Sequence, residues 1–180
     1  MKHILAQKNR SPILYILLLT TSIFLSSLHL MCSKQEDVPP VDTKKQNEAP
    51  KIQFVKQGEV YFENAKKELV KGIDVEIADT EDKRHTGLMF RERMEENQGM
   101  LFIFPGEEPQ GFYMKNTIIP LDIIFITSKG QIVKIYRHTT PFSEQDLPSI
   151  KPIRYVVEVN AGFSDKYNIK EGDTVKWRRL

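Results

Sequence analysis

A single cysteine, Cys32, occurs in the 180 residues, so no intramolecular disulfide can cross-link the chain. Only His85 and His138 follow the first 31 residues. They are far apart in sequence, and neither has a second His or Cys at ligand spacing, which excludes the usual zinc patterns. The acid pairs Glu95-Glu96 and Glu107-Glu108 lack the alternating oxygen ligands of a calcium loop and read as solvated surface. Neither a metal nor a cofactor is therefore expected. There is no GxSxG elbow, and Ser143 and Ser149, loosely spaced from His138, read as loop hydroxyls rather than a triad. A glycine-rich phosphate cradle is also missing, and the aromatic residues follow strand periodicity rather than forming a stacking platform for bases.

A basic excess is missing too, once the N-terminus is set aside. The whole chain carries 26 Lys+Arg against 24 Asp+Glu, but Lys2, Lys8 and Arg10 sit in an acid-free leader. Without the first 31 residues the balance is 23 against 24, a formal charge of −1, so no nucleic-acid footprint is expected.

What is present begins with that leader. A basic start, the apolar run PILYILLLTTSIFL and the segment SSLHLMC ending at Cys32 have the layout of a secretory signal. It resembles a bacterial lipoprotein signal in which Cys32 is lipidated and becomes the new N-terminus, although Met31 and His29 depart from the commonest residues there. The alternative is an uncleaved anchor, since residues 12–31 approach the ~20 residues of a spanning helix. Both readings place the remainder outside the cytoplasm, attached to a membrane of the cell envelope. The next stretch, SKQEDVPPVDTKKQNEAP, has no aromatic residue and few apolar ones, so it reads as a disordered tether over residues 32–50. Stretched out it reaches on the order of 60 Å at ~3.3 Å per residue.

From Lys51 to the end the pattern is that of one domain. Short strands are predicted at residues 52–55, 59–62, 73–77, 100–104, 155–159 and 174–177. Thr80 caps a short helix with Glu81 and Asp82 in its first turn, ended or bent by Gly87. A second short helix is expected within residues 160–167, ended by Asn168. Residues 138–152, with three prolines, form a long irregular segment expected to act as a lid or rim. The fold class is mainly β (α+β), a single compact barrel- or sandwich-like domain with one or two short helices.

The centre of the pattern is GFYMKNTIIPLDIIFIT, residues 111–127, read as strand, turn, strand. In the second strand Asp122 shares a side with Ile124 and Ile126, while Leu121, Ile123 and Phe125 share the other. Both sides are then covered, and a carboxylate there needs a partner. The candidate constellation is Arg84, Arg91, Lys115, Asn116, Thr117, Asp122, Glu158 and Asn160. One reading is a structural ion pair that sets strand register, with Lys115, Arg84 or Arg91 as the cation. The other is a pocket where Lys115 and Asn116 bind an anionic or carbonyl-bearing ligand while Asp122 orients the lysine.

Five segments in order, GLMFRERM (87–94), GMLFIF (99–104), MKNTIIPLDIIFI (114–126), VVEVNAG (156–162) and IKEGD (169–173), resemble the domain of unknown function 192 family over residues 72–177. The resemblance implies a small, mainly β domain, secreted or membrane-anchored, and brings no settled activity. Tyr113 stands where that family often has Trp, Asn168 where Gly is frequent, and Phe142 where some members have Cys, so thiol chemistry does not carry over. The expectation is a membrane-attached envelope lipoprotein that binds a ligand or protein partner, more a binding module than an enzyme. The competing expectation is a hydrolase or transferase on cell-envelope material, with Asp122 or Glu158 as base and Lys115 as electrostatic stabiliser. A purely structural role for the cluster is the third.

Overall fold

The computed structural model of the chain describes residues 52–180. The leader, Cys32 and the tether lie outside the described residues. In chain order the elements are β1 (Gly58–Glu63), β2 (Leu69–Ala78), α1 (Glu81–Thr86), β3 (Gln98–Glu108), β4 (Gly111–Phe112), β5 (Leu121–Ile126), β6 (Ile132–Tyr136), β7 (Leu147–Pro148), β8 (Ile153–Asn160), α2 (Phe163–Lys166) and β9 (Thr174–Arg179). Seven strands form one sheet in the order β6-β5-β8-β3-β2-β1-β9, and β4 pairs with β7 in a separate ribbon. Only β2 and β3 run parallel. A parallel pair needs a crossover, and the residues between these two strands carry α1.

Local chemistry explains the short elements. Thr80 accepts a hydrogen bond from the Lys83 amide at 3.3 Å, and the Gly87 amide closes α1 on the Lys83 carbonyl at 2.8 Å. The turn of the β5–β6 hairpin is closed by Gly130 N donating to Thr127 O at 3.0 Å, and Asn168 takes the left-handed conformation after α2 at φ 51°. The strand expected at 52–55 does not form. β1 already has β2 on one edge and β9 on the other from Gly58 onward, so the preceding residues meet no free edge, and Val55 N donates to a Glu76 side-chain oxygen instead.

β5 is the hub of the packing. All six of its side chains are buried. Ile124 and Ile126 join a core with Val60, Phe62, Val75, Leu101, Val157, Phe163 and Ile169, which is called here the α2 face. Leu121, Ile123 and Phe125 join Leu88, Met100, Phe102, Met114 and Val156 on the opposite, α1 face. The alternation read from the sequence thus fills two cores, each fully buried large side chain contributing about 1.5–3 kcal/mol.

The sheet is curled but not closed, which corrects the barrel half of the expectation and leaves an α+β, sandwich-like fold. Its edge strands meet at one isolated bridge, Gln131 with Thr174, supported by Val175 N donating to Gly130 O at 2.7 Å. Beside it Ile132 N donates to Asp173 O and Gly172 N to Ile132 O, each at 2.9 Å, but β6 and β9 do not pair as strands. The bridge depends on Gly130. Its φ is 80°, and a Cβ there would stand 2.5 Å from the Val175 carbonyl oxygen.

Candidate functional site

Asp122, on β5, is fully buried and has no cationic partner among the described residues. One carboxylate oxygen accepts the His138 and Gly162 amides at 2.9 and 3.2 Å; the other accepts the Ser164 amide at 2.8 Å. The expected pairing with Lys115, Arg84 or Arg91 is therefore corrected. Three amide dipoles satisfy a carboxylate without taking a second charge out of water, which makes this the less costly arrangement in an apolar sheet. Asp122 is a structural clasp holding the exit of β6 and the start of α2 against β5.

Lys115 is exposed and lies 3.5 Å from Glu144 across solvent. Asn116 takes φ 57° in the turn, where its carbonyl accepts the Phe90 amide at 2.9 Å. Arg91 is buried and pairs with Glu76, leaving its Nε without a partner. Asn160 ends β8 and donates to the carbonyls of Met94 and Glu95 at 2.9 and 3.2 Å, tying down the segment before β3. These four belong to separate local arrangements.

The remaining three predicted residues come together. Arg84, Thr117 and Glu158 line one cleft of about 250 Å³ on the α1 face, with Leu88, Met89, Phe102, Phe104, Phe112 and Tyr113 as its apolar walls and Glu81, His85 and Thr86 towards the α1 side. Its size lies just under the ~300–1,000 Å³ usual for small-molecule sites, so it fits a single ring or the end of a longer molecule. The aromatic wall is continuous: Phe112 meets Phe102 at 5.2 Å, Phe104 at 6.3 Å and Phe125 at 5.5 Å between ring centroids.

Register puts Glu158 there. It lies opposite Met100 on one side and Ile123 on the other, and so projects with them onto the α1 face; Asp122 lies opposite Val159 and projects onto the α2 face. The two acids are on opposite sides of the sheet, so they do not face one pocket. Glu158 is only 5% exposed, and it has no hydrogen-bonding or charged partner among the described residues. Burial alone pushes its carboxyl up to about 8, leaving it mostly protonated at neutral pH.

Arg84 is held in place from both sides. Its Nη1 donates to the carbonyls of Asp79 and Ile103 at 2.8 and 3.0 Å, and its guanidinium lies over the Phe104 ring at 5.4 Å from the centroid. Residues 138–152, expected as a lid or rim, contribute nothing to the cleft lining. The segment instead packs under the turn, with Met114 N donating to Ser143 O and Phe142 N to Thr117 O. The aromatic wall was not singled out from the sequence, although Phe102 and Phe112 sit in motifs already noted. Their strand alternation marks them as facing one way, but not that three such rings from two strands converge. Among the described residues no group of His, Cys, Asp and Glu is placed to hold a metal ion.

Comparison with known proteins gives the same picture of kinship without activity. A UPF0127 protein of Pyrococcus furiosus is 29% identical over 118 residues, covering 60% of this chain and 90% of the relative. A crystal structure from Sinorhizobium meliloti, of a protein described as a transcription regulator, superposes with TM-score 0.65 at 35% identity, covering 69% of this chain and 98% of the other. A protein of unknown function from Novosphingobium aromaticivorans gives TM-score 0.63 at 33% identity, covering 66% and 84%. The DUF192 family model, uncharacterized ACR, matches residues 62–177, and this chain is a member of the DUF192 family.

Proposed function

We propose that this protein is a membrane-attached module of the cell envelope that binds a small ligand in the cleft above Glu158. The observation that carries the reading is a carboxyl that is almost wholly buried, has no hydrogen-bonding partner among the described residues, and borders an aromatic-walled cleft. Buried polar groups are normally hydrogen-bonded, and the exceptions concentrate where something else supplies the bond. The leader, Cys32 and the tether support the address: residues 1–31 direct export, and residues 32–50 give the domain reach from the membrane surface.

The ligand site is thus moved from Lys115, Asn116 and Asp122 to Glu158, Arg84 and Thr117 with Phe102, Phe112 and Tyr113. A hydrolase or transferase with Asp122 as base and Lys115 as electrostatic stabiliser loses its geometric support, because Asp122 faces the other core and Lys115 faces solvent. Amide shift mapping on the labelled protein during a fragment screen tests the proposal. Hits should move the amides of Gly87, Leu88, Phe112, Tyr113 and Thr117. A screen whose hits perturb only other surfaces, or that yields none, removes the cleft as a ligand site.

A further inference from the structure

Two groups in the cleft lack the partners their chemistry calls for. Glu158 is buried and unpaired, with a proton to donate. Arg84 uses one guanidinium nitrogen on two carbonyls, and no carboxylate among the described residues lies within 4 Å of it. A guanidinium stacked on a ring and lacking a counter-ion is a ready anion receptor, since its fork matches a carboxylate. We propose that the cleft takes a small monocarboxylate borne on an apolar ring or chain, the ligand sharing the Glu158 proton and pairing with Arg84; this rests on the binding reading above.

The surroundings of Glu158 favour that class over its rivals. An ammonium would have to approach Arg84 and force Glu158 to ionise among phenyl rings. A phosphate dianion brings more charge than one guanidinium offsets. The other titratable groups facing Glu158 are few. On α1 these are Glu81 and His85, both exposed, and on the turn segment Tyr113. In its own cross-strand row Glu76 is taken up by Arg91, and Tyr136 lies beyond Ile123 with its hydroxyl on the Pro148 carbonyl. The neighbours directly beside it, Met100 and Ile123, are apolar. A carboxylate can therefore enter only while Glu158 holds its proton, and its affinity should fall about tenfold per pH unit once that proton is lost.

Calorimetric titration of the full-length chain with cyclohexanecarboxylate, cyclohexanecarboxamide and cyclohexylmethylamine, at pH 6.5 and 9.5, tests this directly. The carboxylate should bind at least about tenfold tighter than the other two at pH 6.5 and weaken by about thirtyfold at pH 9.5. Glu158→Gln should remove the pH dependence of carboxylate binding between pH 6.5 and 9.5, and Arg84→Gln should abolish the preference for the carboxylate. If Arg84→Gln does not fold, the flat profile of Glu158→Gln decides. Preference for the amine, tightening as pH rises, overturns the carboxylate assignment while leaving a ligand cleft; failure of all three probes overturns both readings.

Discussion

Replacing Glu158 by Gln should stabilise the protein, and by an amount that depends on pH in a calculable way. The carboxyl has an ordinary value of 4.5 and is raised to about 8 by burial in the fold. Below about pH 4.5 it is protonated in both the folded and unfolded chain and has no differential effect. Between 4.5 and 8 the unfolded chain ionises while the folded one keeps its proton, so wild-type stability drains away by roughly 1.4 kcal/mol per pH unit. The loss reaches about 3 kcal/mol at pH 7 and about 5 kcal/mol above pH 8, where both states are ionised and the curve levels. Glutamine has the same shape and no such titration. The measurable quantity is the difference in urea unfolding free energy between Glu158→Gln and wild type at pH 4.5, 6, 7, 8 and 9, since every other titrating group cancels in it. Against a typical domain stability of about 5–15 kcal/mol the change is large. A difference that stays constant across this range would refute the claim that Glu158 is buried and unpaired.

Other expectations follow from single contacts. Asp122→Ala leaves three amides without their acceptor, the Ser164 one fully buried and those of His138 and Gly162 partly so, and should cost about 2–5 kcal/mol by urea unfolding, whereas Lys115→Ala, which removes only an exposed pair with Glu144, should change stability by less than about 0.5 kcal/mol. Equal effects would mean that the two residues act together after all. Gly130→Ala should lower stability by about 1–3 kcal/mol, because both the positive φ and the 2.5 Å approach to the Val175 carbonyl oppose a Cβ; a neutral outcome in thermal unfolding would show that the edge bridge is dispensable. Glu59 is held down to about 2 by Lys56, Tyr61 and Arg178. As a depressed carboxyl it favours the folded state above pH 4.5 and loses that effect as pH falls towards 2, so acid unfolding of Glu59→Gln should converge with wild type over that window.

Much of the architecture was legible because it rests on local rules. The threonine cap and acidic first turn of α1, the left-handed Asn168 and the double burial of β5 all follow from spacing and side-chain type alone. Residues 52–55 had the composition of a strand but no edge to join, and edge availability is a property of the assembled sheet. The failure of barrel closure is of the same kind, since it depends on where two strands diverge some forty residues apart in sequence.

The candidate site divides along that line. Composition and alternation were sufficient to say that Asp122 and Glu158 are acids inside apolar strands and that each requires an explanation. Which of them is satisfied could not follow from the chain taken in order. The amides that hold Asp122 arrive from 16, 40 and 42 residues away, and the register between β5 and β8 turns the two carboxylates to opposite faces. Because side chains alternate every residue along a strand, a shift of one position would reverse the assignment. The sequence thus determined that two carboxyl groups would be buried, and only tertiary pairing settled that one became a clasp and the other was left open at the floor of a cleft.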